Sequence, residues 1–417
     1  MVITYYWPPS GGPGVQRVLK FCKYLPEFGW EPIVLTVKDG EYPNIDISLE
    51  KEVEELGIRV IKTNTYEPFT AYKWLTRKKS LPSYELNKSN SGFFSMLSKW
   101  IRINYFIPDA RKGWIPYGVK AGKELLNNEN IDIIFSSGPP HSLHFIAKKL
   151  KEISKIPWVA DFRDPWTDLF YYDTYKRVAR ALNKDIEMEK EILNSADFVT
   201  TVSNGTKELL NTKVEDLNAH VIHNGFDPED FTDIEIPNKN DGNKIITYIG
   251  SMSESQVSEG FFRAVSDLIH KNGENIIIRF IGNLHQRALD LIKEYNLESY
   301  TDQLGYCNHC EVIIKLFESD LLLLVIPNTK KSKLIITGKL YEYLKSEKPI
   351  LAIANLKGDA AKIIDQTHSG SVYQYDDVKG IKNFISQNQH QKPIHIDQFS
   401  RRELTKELDR VFVNTAG

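Results

Sequence analysis

Short apolar runs and helically spaced apolar positions alternate along this chain. Residues 2–6 form an apolar run, and Val15, Val18, Leu19, Cys22 and Leu25 then recur three and four apart, the period of one helix face; residues 32–37 are apolar again. Strand, helix and strand in that order predict a parallel pair joined by a crossover helix. The pattern returns at 131–135, 158–161 and 197–202. There Ser136-Ser137-Gly138-Pro139-Pro140 reads as a turn before a helix from about His141, and Ser203 is placed to cap a further helix. Residues 229–243 are rich in Asp, Asn, Pro and Lys, which predicts a linker. A second alternating series follows, with strands at 244–249, 276–281, 321–326 and 349–353. The expected fold class is α/β: two Rossmann-like, doubly wound domains, 1–228 and 229–395, facing a cleft, with a terminal segment 396–417.

Residues 66–113 break the rhythm. Trp74, Phe94 and Trp100 interleave there with Lys78, Lys79 and Arg102. Two readings stay open: an amphipathic cover over the core, or a surface for an anionic membrane or a lipid-linked substrate.

Composition narrows the function classes. The chain has 417 residues, 41% hydrophobic and 26% charged, which is enough for two or three domains with sizeable cores. A net charge of −2 gives no whole-chain case for nucleic-acid binding. No secretory leader and no run of about 20 apolar residues is legible, so the expected location is cytoplasmic, with a peripheral place on the inner membrane surface open. Cys307-Asn308-His309-Cys310 has metal-like spacing but lacks a second pair, so no metal is expected there.

Candidate chemistry concentrates after predicted strands. Gly338, Lys339, Leu340 and Glu342 open a predicted helix, with the cation and the carboxylate one turn apart. A helix N-terminus attracts phosphate, Lys339 adds charge, and Glu342 can accept two hydrogen bonds from a ribose diol. Together they fit a nucleoside diphosphate; an ordinary surface Lys–Glu pair has the same letters. Gly11 and Gly12 can bring backbone amides close to a diphosphate, and Arg17, one turn into the next helix, can add charge. A tight turn with a solvated Arg is the plainer reading. Gly250 and Ser251 form the corresponding turn of the second series. His141 follows a Gly-Pro-Pro turn at the carboxyl end of a strand, where such sheets bind ligands, and His144 lies one turn on. Asp161 and Asp164 flank Arg163. Asp161 can act as a base or position an acceptor hydroxyl, and Arg163 can hold an anion; an internal Asp–Arg network is the alternative.

In order, Tyr5-Tyr6-Trp7-Pro8-Pro9-Ser10-Gly11-Gly12-Pro13-Gly14-Val15-Gln16-Arg17, Ser137-Gly138-Pro139-Pro140-His141, Asp161-Phe162-Arg163-Asp164-Pro165-Trp166, Val202-Ser203-Asn204-Gly205, His223-Asn224-Gly225-Phe226-Asp227, Tyr248-Ile249-Gly250-Ser251 and the Lys339/Glu342 helix resemble a retaining GT-B glycosyltransferase of group 4. The resemblance implies a nucleotide-sugar donor, a glycan or lipid-linked acceptor, a role in surface polysaccharide or glycolipid synthesis, no essential metal and no further cofactor. It also implies that His141 lies near the donor sugar and that a final helix, at about 399–412, crosses back to the first domain. No protein nucleophile is implied. The chain departs from the family where a first glutamate is usual, at Leu334, and where a basic pair is usual, at Ser253-Glu254-Ser255-Gln256. Two other classes share the architecture: a non-hydrolysing sugar-nucleotide epimerase and a catalytically silent nucleotide-sugar-binding protein.

Overall fold

The structure, a computed structural model, describes the chain except residues 43, 68–99, 102, 170–176, 233, 235–241 and 388–390. It divides into two compact units, Met1–His223 with Arg401–Gly417, and Asn224–Ser400.

The first unit is built on a seven-stranded sheet. Its strands are β1 (Val2–Ile3), β2 (Ile33–Val37), β3 (Arg59–Thr63), β4 (Ile134–Gly138), β5 (Trp158–Phe162), β6 (Phe198–Thr201) and β7 (Ala219–Val221). They run in the order β3-β2-β1-β4-β5-β6-β7, every neighbouring pair parallel. Strand β4 starts later than its apolar letters suggest and runs through Ser136 and Ser137, which read as a turn. Both serines are buried, and their hydroxyls are satisfied inside: Ser136 by His144 and Trp158, Ser137 by Asp161. A buried polar group so paired loses little relative to water, so the strand continues across it.

The final helix, Arg401–Ala416, belongs to this unit. Leu404, Leu408, Val411 and Phe412 form its apolar face and share a core with Val15, Val18, Leu19 and Cys22 of the helix Pro13–Tyr24. Burying four such side chains is worth roughly 6–12 kcal/mol as an upper bound. The Trp30 Nε1 bond to Asp409, at 2.7 Å, adds about 1 kcal/mol, so the apolar face sets the docking.

The second unit has six parallel strands, β8 (Lys244–Ile249), β9 (Ile276–Ile281), β10 (Thr301–Gly305), β11 (Leu321–Val325), β12 (Ile350–Ile353) and β13 (Gly370–Tyr373), in the order β10-β9-β8-β11-β12-β13. Period-two alternation sends Leu321, Leu323 and Val325 to one core and Leu322 and Leu324 to the other. Both faces are covered, which is why β11 reads as an unbroken apolar run.

Strand order reverses between β1 and β4 in the first sheet and between β8 and β11 in the second. Those are the switch points outside which open α/β sheets bind ligands. Among the described residues no helix is long and apolar enough to cross a membrane. Of the aromatic and basic residues in the 66–113 interruption, Trp74, Lys78, Lys79, Phe94 and Arg102 lie outside the described residues; Trp100 is exposed and packs edge-on against exposed Tyr105.

Candidate functional site

At the first switch point, the glycine turn follows β1. Gly12 has φ +113°, a left-handed conformation that favours glycine, and Pro13 then opens the helix. Gly11 packs against Asp46 and donates its N–H to Asn44 O at 3.0 Å. Gly14 has a different duty. A Cβ there would lie 2.0 Å from Arg163 Nη1, so the guanidinium rests directly on the helix start. Arg163 also donates from Nε to Gly138 O at 2.9 Å and from Nη2 to Pro139 O at 2.6 Å. It therefore staples the loop after β1 to the loop after β4, with two of its five guanidinium N–H donors used on those carbonyls.

Asp161 stands in an internal Asp–Arg network, one of the two readings its letters left open, and the arginine paired with it is Arg17. Both are fully buried and paired with each other, Nη2 to Oδ1 at 2.9 Å and Nε to Oδ2 at 3.1 Å. Ser137 Oγ and Thr200 Oγ1 also donate to Asp161, and Arg17 Nη1 donates to His223 O at 2.7 Å. Burial opposes the charge on Asp161, but Arg17 and these donors hold its carboxyl below the usual range. A carboxylate so saturated is no base, and Arg17 is not poised for a diphosphate. The internal network is the reading that fits.

His141 sits in the short 3-10 turn His141–Leu143 that precedes the helix His144–Ser154. Its ring stacks on Trp166, with centroids 4.8 Å apart and planes 5° off parallel, and it clusters with Phe162 and His144, whose ring centroids lie 5.6 and 5.8 Å away. His141 is 5% exposed, and neither ring nitrogen has a hydrogen-bond partner among the described residues. Burial drives its pKa well below the usual imidazole value and that of His144 down to about 3. Both rings are neutral near pH 7, and His141 keeps one donor and one acceptor for another group. Sequence reasoning missed what fixes this turn. Asp109 accepts from Ser142 N, Ser142 Oγ and Arg111 N, each at 2.8 Å, and so caps the His141 turn from the end of the interrupting segment. The Ser142 position, just past the turn's first residue, was the only signal.

At the second switch point, Gly250 and Ser251 follow β8. Gly250 has φ +92° and Gly282, with φ +117°, lies against it: a Cβ on Gly282 would be 2.7 Å from Gly250 C. The Lys339 stem crosses the other side of Gly250, where a Cβ would meet Cε at 2.7 Å and Nζ at 2.9 Å. The Lys339 ammonium stands 4.2 Å over the Tyr248 ring centroid and donates to Tyr248 Oη at 3.0 Å. No carboxylate lies within ion-pair distance of it among the described residues. Burial lowers its pKa to about 8, opposed by the nearby charge of Glu342.

The helix Lys339–Ser346 turns one face inward and one out. Leu340, Tyr341, Tyr343 and Leu344 are fully buried in the core, while Lys339 and Glu342 stay partly exposed. The Leu340 side chain is therefore part of the core, and its N–H is used on Thr337 O at 3.2 Å. Gly338 is in the ordinary helical region at φ −56°, and no side chain caps the helix start. Tyr343 Oη accepts from Ile249 N at 3.1 Å, which fixes the helix to the end of β8. Among the described residues no cluster has a metal-holding donor set; Asn308 caps a helix, and His309 pairs with Asp230 at 3.2 Å.

Residues 97–230 match the family model described as Glycosyltransferase Family 4. No curated protein sequence matches the chain significantly. Several solved structures share its fold over nearly the whole length. Sucrose-phosphate synthase from Thermosynechococcus elongatus aligns with TM-score 0.65 at 13% identity, covering 99% of this chain and 98% of that one. HepE from Anabaena, in complex with UDP and glucose, aligns with TM-score 0.60 at 13% identity, covering 99% and 100%. The lipopolysaccharide outer core galactosyltransferase WaaB aligns with TM-score 0.57 at 12% identity, covering 99% of each chain. The fold is thus the GT-B type, two Rossmann-like domains in one chain.

Proposed function

We propose that this chain is a glycosyltransferase that moves a sugar, with retention, from a nucleoside-diphosphate sugar to a glycan or lipid-linked acceptor in surface polysaccharide or glycolipid synthesis. The observation that carries the donor assignment is Lys339, a partly buried ammonium that makes no ion pair among the described residues and feels only the nearby charge of Glu342, at an uncapped helix start beside a glycine turn at a switch point. A sequestered charge needs a counter-charge, and a diphosphate supplies it. The UDP held by HepE supports the same donor class.

The chemistry assigns the remaining roles. The anomeric carbon's bond to the diphosphate oxygen breaks, the acceptor oxygen forms the new bond, and the hydroxyl proton leaves with the diphosphate. Lys339 stabilises the growing charge on that leaving group, and the Gly250–Ser251 turn lets backbone approach it. Glu342 takes the ribose diol. His141, neutral and stacked, donates a hydrogen bond to a sugar hydroxyl without carrying charge. No metal is assigned a role. The exposed Trp100 and Tyr105 support an acceptor- or membrane-facing role for the segment they end.

A thermal-shift panel of UDP-, GDP-, ADP- and CDP-sugars tests the reading. One donor at 100 times its Kd should stabilise the protein by about 2.7 kcal/mol. No response to any of them would remove the donor assignment. A putative UDP-N-acetylglucosamine 2-epimerase from Listeria monocytogenes also shares the fold, with TM-score 0.53 at 11% identity over 98% of this chain and 94% of that one. Isomerised sugar in the absence of any acceptor would favour that second reading.

A further inference from the structure

Tyr248 lies on β8, two residues before Gly250, and is 1% exposed. Its hydroxyl has two partners. It accepts from Lys339 Nζ at 3.0 Å and donates to Ser251 O at 3.2 Å. Lys339 comes from the helix after β11, and Ser251 from the turn after β8. One phenol thus joins two elements on either side of the switch point. Its ring carries the same ammonium, at 4.2 Å from the centroid, and packs on Phe280 with centroids 6.2 Å apart, so it cannot swing away without opening the core.

We propose that Tyr248 is the positioning residue of the donor site: its hydroxyl sets the Lys339 ammonium and the Gly250–Ser251 turn against one and the same diphosphate. The inference rests on the donor reading above and adds to it a residue that touches no substrate.

The geometry explains why a phenol serves here. A lysine stem has four rotatable bonds, and an unpartnered ammonium would choose among many positions in water. A carboxylate in place of Tyr248 would hold the ammonium more firmly but would repel the phosphates. A phenol is a neutral acceptor: it orients Nζ, leaves the positive charge uncancelled, and passes its own proton to a carbonyl. Burial raises the Tyr248 pKa, so the hydroxyl stays neutral. The basic pair usual in the resembling family is replaced by Ser253-Glu254-Ser255-Gln256, which makes the placement of this one cation matter more.

Titration calorimetry with UDP, GDP and ADP on wild type, Tyr248→Phe, Lys339→Met and the double variant tests the proposal. The phenylalanine keeps the ring and the packing and removes only the hydroxyl. Tyr248→Phe should weaken the best-bound nucleotide about tenfold, and Lys339→Met about a hundredfold. The double variant should be no weaker than Lys339→Met alone, because Tyr248 acts through that lysine. The pH at which affinity falls should also move lower in Tyr248→Phe, since the ammonium loses an acceptor. The groups facing it are Glu342 on its own helix and Tyr248 on β8, and only the second is changed. Equal losses from Tyr248→Phe in both backgrounds, or an unchanged pH midpoint, would overturn the positioning role while leaving the donor reading intact. Unchanged binding by Lys339→Met, or no nucleotide binding by wild type, would overturn both.

Discussion

Single side chains decide most of the chemistry, and their protonation states are the sharpest handles. Lys339, with its pKa pulled down to about 8, is charged at pH 7 and mostly neutral at pH 9. Nucleotide affinity should therefore fall as pH rises through about 8, a window in which an ordinary lysine stays fully charged; a flat profile from pH 7 to 9 would remove Lys339 from the site. Glu342→Gln should weaken nucleotide-sugar binding by roughly 1.5–3 kcal/mol, through loss of charge-assisted bonds to the ribose, as read by the same titration. Asp161 calls for a different measurement. Asp161→Asn leaves Arg17 buried without its counter-charge and should cost about 3–5 kcal/mol of unfolding free energy in urea. Residue letters alone were ambiguous at this scale. Asp161-Phe162-Arg163 suits either an acceptor site or an internal network, and only burial separates them. Tyr248 gave no signal beyond a polar-tipped aromatic near the end of a strand, because its role depends on a helix about ninety residues away.

Elements were easier to read where their apolar pattern was long and both faces were covered. Strands β8 and β9 stand where the letters put them, and Ser203 caps its helix by accepting from Thr206 N. The edge strands β3, β7, β10 and β13 were missed, because they are short, partly exposed and mixed in polarity. The helix Lys339–Ser346 was legible as an element, yet its inward face was not: Leu340 points to the core because it is one position off the Lys339–Glu342 stripe. The loop joints offer a test at this scale. Gly14→Ala puts a methyl where Arg163 Nη1 now rests, and Arg163 cannot yield without losing its bonds to Gly138 and Pro139. The substitution should lower stability by about 1–3 kcal/mol, measured by chemical denaturation. Wild-type stability in Gly14→Ala would mean that the staple contributes nothing.

Over the whole molecule, two doubly wound units and the return of the last helix to the first unit follow from alternating periods and from one apolar stripe, Leu404, Leu408, Val411 and Phe412. Acid stability should report the buried histidine pair. The unfolded chain binds protons at both histidines below about pH 6.5, whereas folded His144 does not until about pH 3 and folded His141 also resists. Stability should thus fall as pH drops below about 6.5, by about 1.4 kcal/mol per pH unit for each histidine, and His144→Asn should remove one share of that slope. Activity, once assayed, should survive EDTA, because amides and Lys339 are proposed to carry the diphosphate charge. The most direct test of the central claim is release of nucleoside diphosphate from UDP-, GDP-, ADP- and CDP-sugars by purified wild type and by Lys339→Met. The account predicts release from one donor class by the wild type, raised by a sugar or lipid-linked acceptor, and a loss of about a hundredfold or more in the variant at subsaturating donor. Release at equal rates by both proteins, or no release from any donor with any acceptor, would contradict it.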